Sequence, residues 1–282
     1  MDKLLNWSLA QQDPETAKKA GAPDPELLAK LFGAADDPTL MKEALSVIVH
    51  PDADRDTKLT AFDNFEMLIE NLDNANNIEN MKMWDTIIDQ LEHDDEEFRQ
   101  MTCSIIGTAV QNNDKAQADF TGHEQGVKRL IKLASETPTR QKALYALSNL
   151  IRNHPASYEQ FDQNNGWELL GPVLADDSIN QKVKLRSLSL LSSILTTGKK
   201  EDTWKHIKDF GIVIKVLGLI KKSDNVSLVD KALNILVALI SSGYKFNEEE
   251  LEVIKEKVAV IETDLMDVIN LDDFQVLKQV LN

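Results

Sequence analysis

Among its 282 residues the chain has a single cysteine, and only 6% of its residues are aromatic. One thiol, Cys103, cannot close an intramolecular disulfide, so a disulfide scaffold is excluded and a reducing compartment is expected. Long apolar runs are missing too. No stretch reaches the roughly 18 residues that a membrane-spanning helix needs. Near the start, Leu4, Leu5, Trp7 and Leu9 are interrupted by Asn6 and Ser8 and followed by Gln11, Gln12 and Asp13, which is too short and too polar for a secretory signal. Positive charge is scarce as a whole: the formal net charge is −16, which argues against binding a nucleic-acid backbone. No segment alternates valine, isoleucine and aromatics with period two, which removes sheet architectures. Reactive constellations are absent as well. The five histidines, His50, His93, His123, His154 and His206, lie about one per repeat with no second His or Cys at metal-ligand spacing. Gly198-Lys199-Lys200 lacks the earlier glycine and the Ser/Thr of a phosphate loop and reads as a turn after a helix. Acidic runs such as Asp94-Asp95-Glu96-Glu97 stand where helices begin and act there as caps. No catalytic residue, metal or cofactor is expected.

What the sequence does contain is a repeat. A small residue followed at i+4 and i+8 by large apolar ones recurs from Ala61, Thr102, Ala143, Ser187 and Ala232, in steps 102−61=41, 143−102=41, 187−143=44 and 232−187=45. Behind them stand Phe65, Ile106, Leu147, Leu191 and Leu236, then Ile69, Val110, Ile151, Leu195 and Ile240. A helical period repeated every forty-odd residues marks armadillo or HEAT units, each too small to bury its apolar face alone. The fold class is therefore all-α, a right-handed solenoid of armadillo-like repeats.

Residues 1–24 read as a flexible segment with a short amphipathic helix over residues 1–10, and 25–282 as the solenoid with C-terminal capping helices. Asp13-Pro14, Gly21, Pro23 and Asp24-Pro25 make a tether, after which Pro25-Glu26 opens a helix toward Phe32 and Gly33. The solenoid proper starts near Asp37-Pro38-Thr39. Each repeat is a short helix and two longer ones, with breaks at His50-Pro51, His93-Asp94, Thr137-Pro138, Asp176-Asp177 and Ser223-Asp224. Gly126, Gly166 and Gly211 stand before apolar helices, where two helices approach or the chain reverses. Asn247-Glu248-Glu249-Glu250 has the form of a capping box, and a last helix over Asp273 to Leu281 caps the open end.

Armadillo stacks bind with the face built by the third helix of each repeat, and peptide-binding importin-type members carry there a Trp and, four residues on, an Asn. Here the Trp position holds Asp63, Ser104, Tyr145, Ser189 and Asn234, and the Asn position Met67, Thr108, Asn149, Ser193 and Ala238; only Tyr145 with Asn149 comes close. Another column, Asn71, Asn112 and Asn153, falls at helix ends and reads as caps. Charge is uneven. Residues 81–100 carry seven acids against Lys82 and Arg99, whereas 182–222 hold nine lysines and Arg186 against Glu201, Asp202 and Asp209; the basic stretch is either a set of solvated faces or a docking region.

Met1-Asp-Lys-Leu-Leu-Asn-Trp-Ser8, Asp36-Asp-Pro-Thr-Leu-Met-Lys-Glu43, the twenty residues from Ala61 to Asn80, Ser104 to Asn112 and Ala146 to His154 resemble the fungal armadillo-type nucleotide exchange factors of the heat-shock protein 70 chaperones. The Asn-rich Ala61–Asn80 stretch is the most specific, and beyond about residue 155 the likeness is looser. The resemblance implies a monomeric cytoplasmic co-chaperone, with nuclear presence left open. Such a protein wraps the concave face of its solenoid around one lobe of the chaperone's nucleotide-binding domain, displaces the other lobe and lets ADP leave. It implies no catalysis, no cofactor, no nucleic acid and no membrane. By motif it places partner contacts at Ala75 and Arg186, with Asn74, Asn76, Asn77, Lys182 and Lys184 around them. Ala75 can equally be a loop residue kept small for packing, and Arg186 can flank a core helix with its stem along apolar surface. Leu4, Leu5, Trp7 and Leu9 are implied to enter the chaperone's substrate groove and help release clients, or else to dock on the first repeat. A passive adaptor for a peptide or cargo is the alternative function.

Overall fold

The structure, a computed structural model, describes residues 35–222 and 226–281. The boundary between 24 and 25, the patch Leu4, Leu5, Trp7 and Leu9, the helix start at Pro25-Glu26 and the break at Ser223-Asp224 lie outside them. Among the described residues every regular element is helical. The chain divides into two compact units, Met1–Asn77 and Ile78–Asn282.

In the first unit, α1 (Asp37–Val49) and α2 (Arg55–Ile69) form a hairpin, and α3 (Leu72–Asn80) begins before the unit boundary. α1 starts where expected, with the Asp36 side chain accepting from the Thr39 amide at 3.0 Å. It ends at His50 ahead of Pro51, a residue that disfavours helical backbone in the residue before it. Asp54 caps α2 in the same way through the Thr57 amide, 2.9 Å. Met41, Ile48, Phe62, Phe65 and Ile69 are buried.

The second unit continues with α4 (Trp84–Asp89), a 3-10 turn (Gln90–Glu92), α5 (Glu96–Ala109), α6 (Asp114–Thr121), α7 (Glu124–Ser135), α8 (Arg140–Ile151) and α9 (Pro155–Gln163). A 3-10 turn (Gly166–Leu169) then leads to α10 (Leu170–Ala175), α11 (Gln181–Thr197), α12 (Lys200–Asp209), α13 (Ile212–Leu217), α14 (Val226–Ser242), α15 (Glu248–Asp264) and α16 (Leu271–Gln279). α5, α8, α11 and α14 are the third helices of successive repeats and pack one on the next. Their small column, Thr102, Ala143, Ser187 and Ala232, is wholly buried, as are Ile106, Leu147, Leu191 and Leu236. Small residues let the helix axes approach, and each large side chain contributes about 1.5–3 kcal/mol by leaving water. The third column holds only in part. Val110 and Ile151 are buried, whereas Leu195 and Ile240 are half-exposed, because α11 and α14 run to 17 residues and Ile194 and Leu239 turn inward instead.

Between repeats, polar groups close the helix ends. Gln117 of α6, 1% exposed, donates to the carbonyls of Asn149 (2.8 Å), Leu150 (3.2 Å) and Arg152 (2.9 Å), satisfying acceptors that the end of α8 would otherwise leave bare. The Thr197 hydroxyl donates to the Ile151 carbonyl at 3.0 Å and accepts from the Asn153 amide at 2.8 Å. Asn112 (φ 51°) and Asn153 (φ 58°) take the left-handed backbone that the capping reading requires. Asn71 differs: its side chain accepts from the Asp73 amide at 2.9 Å and opens α3 rather than closing α2. A Cβ on Gly166 would stand 2.3 Å from the Phe161 ring, the close approach expected there, and Gly211 (φ 57°) reverses the chain into α13. The capping box of Asn247 with Glu250 is formed. The last helix starts two residues earlier than expected, capped by Asn270.

Candidate functional site

α8 and α11 contain no aspartate or glutamate, in a chain that has 47 of them. α14 has one, Asp230, and it is engaged by the Asn270 amide at 3.0 Å. On these helices Lys142, Arg186 and Lys231 each precede the small core residue of their repeat, with spacings 186−142=44 and 231−186=45 that match the repeat. Position in the repeat therefore sets them in one column, one cation per helix. No ion pair joins any of the three to a carboxylate among the described residues. Their partners are neutral. The Lys142 ammonium donates to the Ser104 hydroxyl of the preceding repeat at 3.0 Å, and the Arg186 guanidinium lies 4.8 Å from the centre of the Tyr145 ring. Burial, and then the Arg152 charge, lower the Lys231 pKa, so this cation lacks compensation. A carboxylate brought up by a partner would relieve that cost.

The rest of the face is held in place from within. The Tyr145 hydroxyl donates to Gln111 Oε1 at 3.1 Å, and Gly107 lies so close beneath the ring that an added Cβ would stand 2.5 Å from Cε1. Asn149, the best candidate for a peptide-holding asparagine, donates its side-chain amide to the Gly107 carbonyl at 3.1 Å. One of its N–H groups is thus engaged within the fold, and Tyr145 carries the Arg186 guanidinium on its ring.

The other sequence-marked residues take different situations. Lys182 is exposed beside the Asn180 cap. Lys184 is 3% exposed and pairs with Asp177 at 3.5 Å, so it ties a turn down. Ala75 lies in α3, not in a loop, and is 3% exposed. Asn74 is buried as well: its side-chain amide donates to Asp37 Oδ2 at 2.8 Å and to the Leu68 carbonyl at 2.9 Å. Asn77 is half-buried and has partners of its own. Asn76 Oδ1 is buried without a hydrogen-bond donor among the described residues. The Asn-rich stretch is thus largely an internal polar seam. The basic region 182–222 also disperses: Lys200 donates to the Ser242 carbonyl, Lys208 lies 5.4 Å from the Tyr244 ring, and Lys221 pairs with Asp177 at 2.7 Å. Lys142 and Lys231 were not singled out from the sequence, although their place before each small residue and the acid-free runs 140–151 and 181–197 were there to be read.

Comparison with known proteins gives two matching family models, "nucleotide exchange factor Fes1" over residues 1–78 and "SIL1/FES1/HPBP1 C-terminal domain" over residues 74–231. Among curated proteins, the Hsp70 nucleotide exchange factor FES1 of Saccharomyces cerevisiae is 47% identical over 291 residues, covering 100% of both chains. Its counterpart in Candida albicans is 42% identical, covering 99% of each. Among solved structures, a designed armadillo repeat protein in complex with the peptide (KR)4 aligns with TM-score 0.69 at 11% identity, over 86% of this chain and 99% of that one, which shows the armadillo fold.

Proposed function

Since the chain belongs to the Fes1/SIL1/HPBP1 family of nucleotide exchange factors, we propose that it exchanges nucleotide on an Hsp70 chaperone by holding the nucleotide-binding domain open through the face of α8, α11 and α14. Work of this kind is not enzymatic. A partner that binds the open domain better than the closed one weakens ADP by the same factor by which ADP weakens the partner, so release follows from binding alone. The observation that carries the reading is the cation column Lys142, Arg186 and Lys231 on helices almost free of acid, within a chain of net charge −16. Such a face attracts an acidic lobe while the remainder of the molecule repels it, which orients the encounter. The protein acts as a monomer in the cytoplasm. Leu4, Leu5, Trp7 and Leu9 supply the client-release segment, offered to the chaperone's substrate groove while the solenoid holds the nucleotide-binding domain. The degraded Trp and Asn columns, which only Tyr145 with Asn149 approach, speak against the peptide-adaptor alternative.

The test is titration of the isolated Hsp70 nucleotide-binding domain with the full chain at low and high ionic strength. Lys142→Glu with Lys231→Glu is expected to abolish binding at low salt, and added salt to weaken the unmodified protein. An affinity indifferent to both would remove the face from the proposal.

A further inference from the structure

We propose that Thr137, in the turn between α7 and α8, is a phosphoacceptor for a proline-directed protein kinase, and that its phosphate opposes partner binding by the column of Lys142, Arg186 and Lys231. Of the eight prolines in the chain, Pro138 is the one that follows a serine or threonine. A kinase whose pocket for the following residue has no acceptor for a backbone N–H selects proline there, since proline has none to offer. Proline also disfavours helical backbone in the residue before it, which suits an extended substrate groove.

The fold leaves this one hydroxyl of the turn available. Ser135 and Thr139 flank it, but the Ser135 hydroxyl donates to the Lys132 carbonyl at 2.6 Å, and that of the wholly buried Thr139 donates to the Leu133 carbonyl at 2.7 Å. Thr137 and Pro138 are exposed, and the Thr137 side chain has no partner among the described residues. The backbone of the turn is closed by the bond from the Arg140 amide to the Glu136 carbonyl at 2.9 Å, and it opens more readily than the helices on either side.

In the transfer, Thr137 Oγ1 attacks the γ-phosphorus of ATP, the bond from that phosphorus to the oxygen bridging it to the β-phosphate breaks, ADP leaves, and the hydroxyl proton passes to the kinase's catalytic carboxylate. The product carries about −1.5 to −2 charge at neutral pH. Arg140 stays at this turn, its Nε donating to the Ala134 carbonyl at 3.1 Å and its Nη2 to the Ser135 carbonyl at 2.6 Å. Its guanidinium and the N-terminus of α8 both attract the phosphate, so the helix keeps its fold. Lys142 stands in the first turn of α8, 142−137=5 residues on, and the phosphate and the first cation of the column thus share one end of one helix. The column's attraction for an acidic surface falls, most at low salt. This consequence rests on the reading of α8, α11 and α14 as the chaperone-binding face.

Incubation of the folded full chain with ATP and a cyclin-dependent kinase, followed by peptide mass mapping, tests the assignment. One phosphoryl group at Thr137 is expected, and none in Thr137→Ala, whose thermal melt should match that of the unmodified protein. No incorporation at Thr137, or faster incorporation at another residue of the folded chain, would overturn it. The isolated Hsp70 nucleotide-binding domain is then titrated with phosphorylated and unmodified chain at low ionic strength, where the phosphate should raise Kd about 3- to 10-fold. Equal affinities would overturn the regulatory half alone. An unmodified chain that did not bind at all would remove the regulatory half together with the proposed face, while phosphate incorporation, read without the chaperone, still decides Thr137.

Discussion

Arg186→Ala separates binding from folding. In the structure Arg186 is half-buried on α11, and its guanidinium lies 4.8 Å from the Tyr145 ring centre. A cation over an aromatic ring at a partly exposed site contributes about 0.5–1 kcal/mol. Alanine has slightly the better helix propensity and offsets part of that loss. The net cost to folding is therefore under about 1 kcal/mol, a melting shift of roughly 2–4 °C for a domain of this size. Binding is affected more. If the three-cation column meets an acidic surface, removing its middle member takes away a desolvated charged anchor. Central residues of this kind cost on the order of 2 kcal/mol, roughly 30-fold in Kd. Arg186→Lys retains the charge but not the planar stacking, so it should recover part of the affinity. Calorimetric titration against the Hsp70 nucleotide-binding domain, with a thermal melt of each variant, reads both quantities. Wild-type affinity in Arg186→Ala, or a fall in affinity explained by a melting shift of ten degrees or more, would refute the reasoning.

Leu147→Ala, at a wholly buried position midway along α8, should destabilise the fold by about 2–5 kcal/mol in denaturant titration. Burial pushes the Cys103 thiol from 9.0 up to about 12, so the unfolded thiol ionises first; the stability linked to it is complete below pH 9 and is lost as pH rises toward 12. At pH 8 the native protein should resist iodoacetamide, which denaturant makes reactive, as mass spectrometry will show. Asn153→Val forces a β-branched residue to φ 58° and should cost about 1–2 kcal/mol, whereas Asn153→Gly should be nearly neutral by chemical denaturation.

The repeat helices were legible in the sequence because each carries a small residue and large apolar ones at fixed spacing, and burial of Ala143 and Leu147 needs nothing beyond that pattern. Caps such as Asn112, Asn153 and Asn247 were legible for the same reason, since their chemistry is local. The proposed face was less so. Residue type marks Lys182, Lys184 and Arg186 alike, yet Lys184 turns inward to Asp177 of the preceding turn, while Arg186 settles on Tyr145 of the preceding repeat, 186−145=41 residues away, and neither fate is written in residue type. The Asn-rich stretch, which marks the family, has partners that residue type does not reveal: Asn74 bonds to Asp37 and Leu68, and Ala75 is 3% exposed. Ala75→Arg therefore perturbs packing as well as any partner contact, and it is a poorer probe of binding than Arg186→Ala.

The central claim is that this chain speeds nucleotide loss from an Hsp70 by binding alone. Stopped-flow release of a fluorescent ADP analogue from a cytosolic Hsp70, followed with and without the full chain, tests it most directly. The account predicts strongly accelerated release by the unmodified protein, with acceleration largely lost in Arg186→Ala and no ATP hydrolysis by the chain on its own. Release at the unassisted rate in the presence of a saturating, folded chain would contradict it.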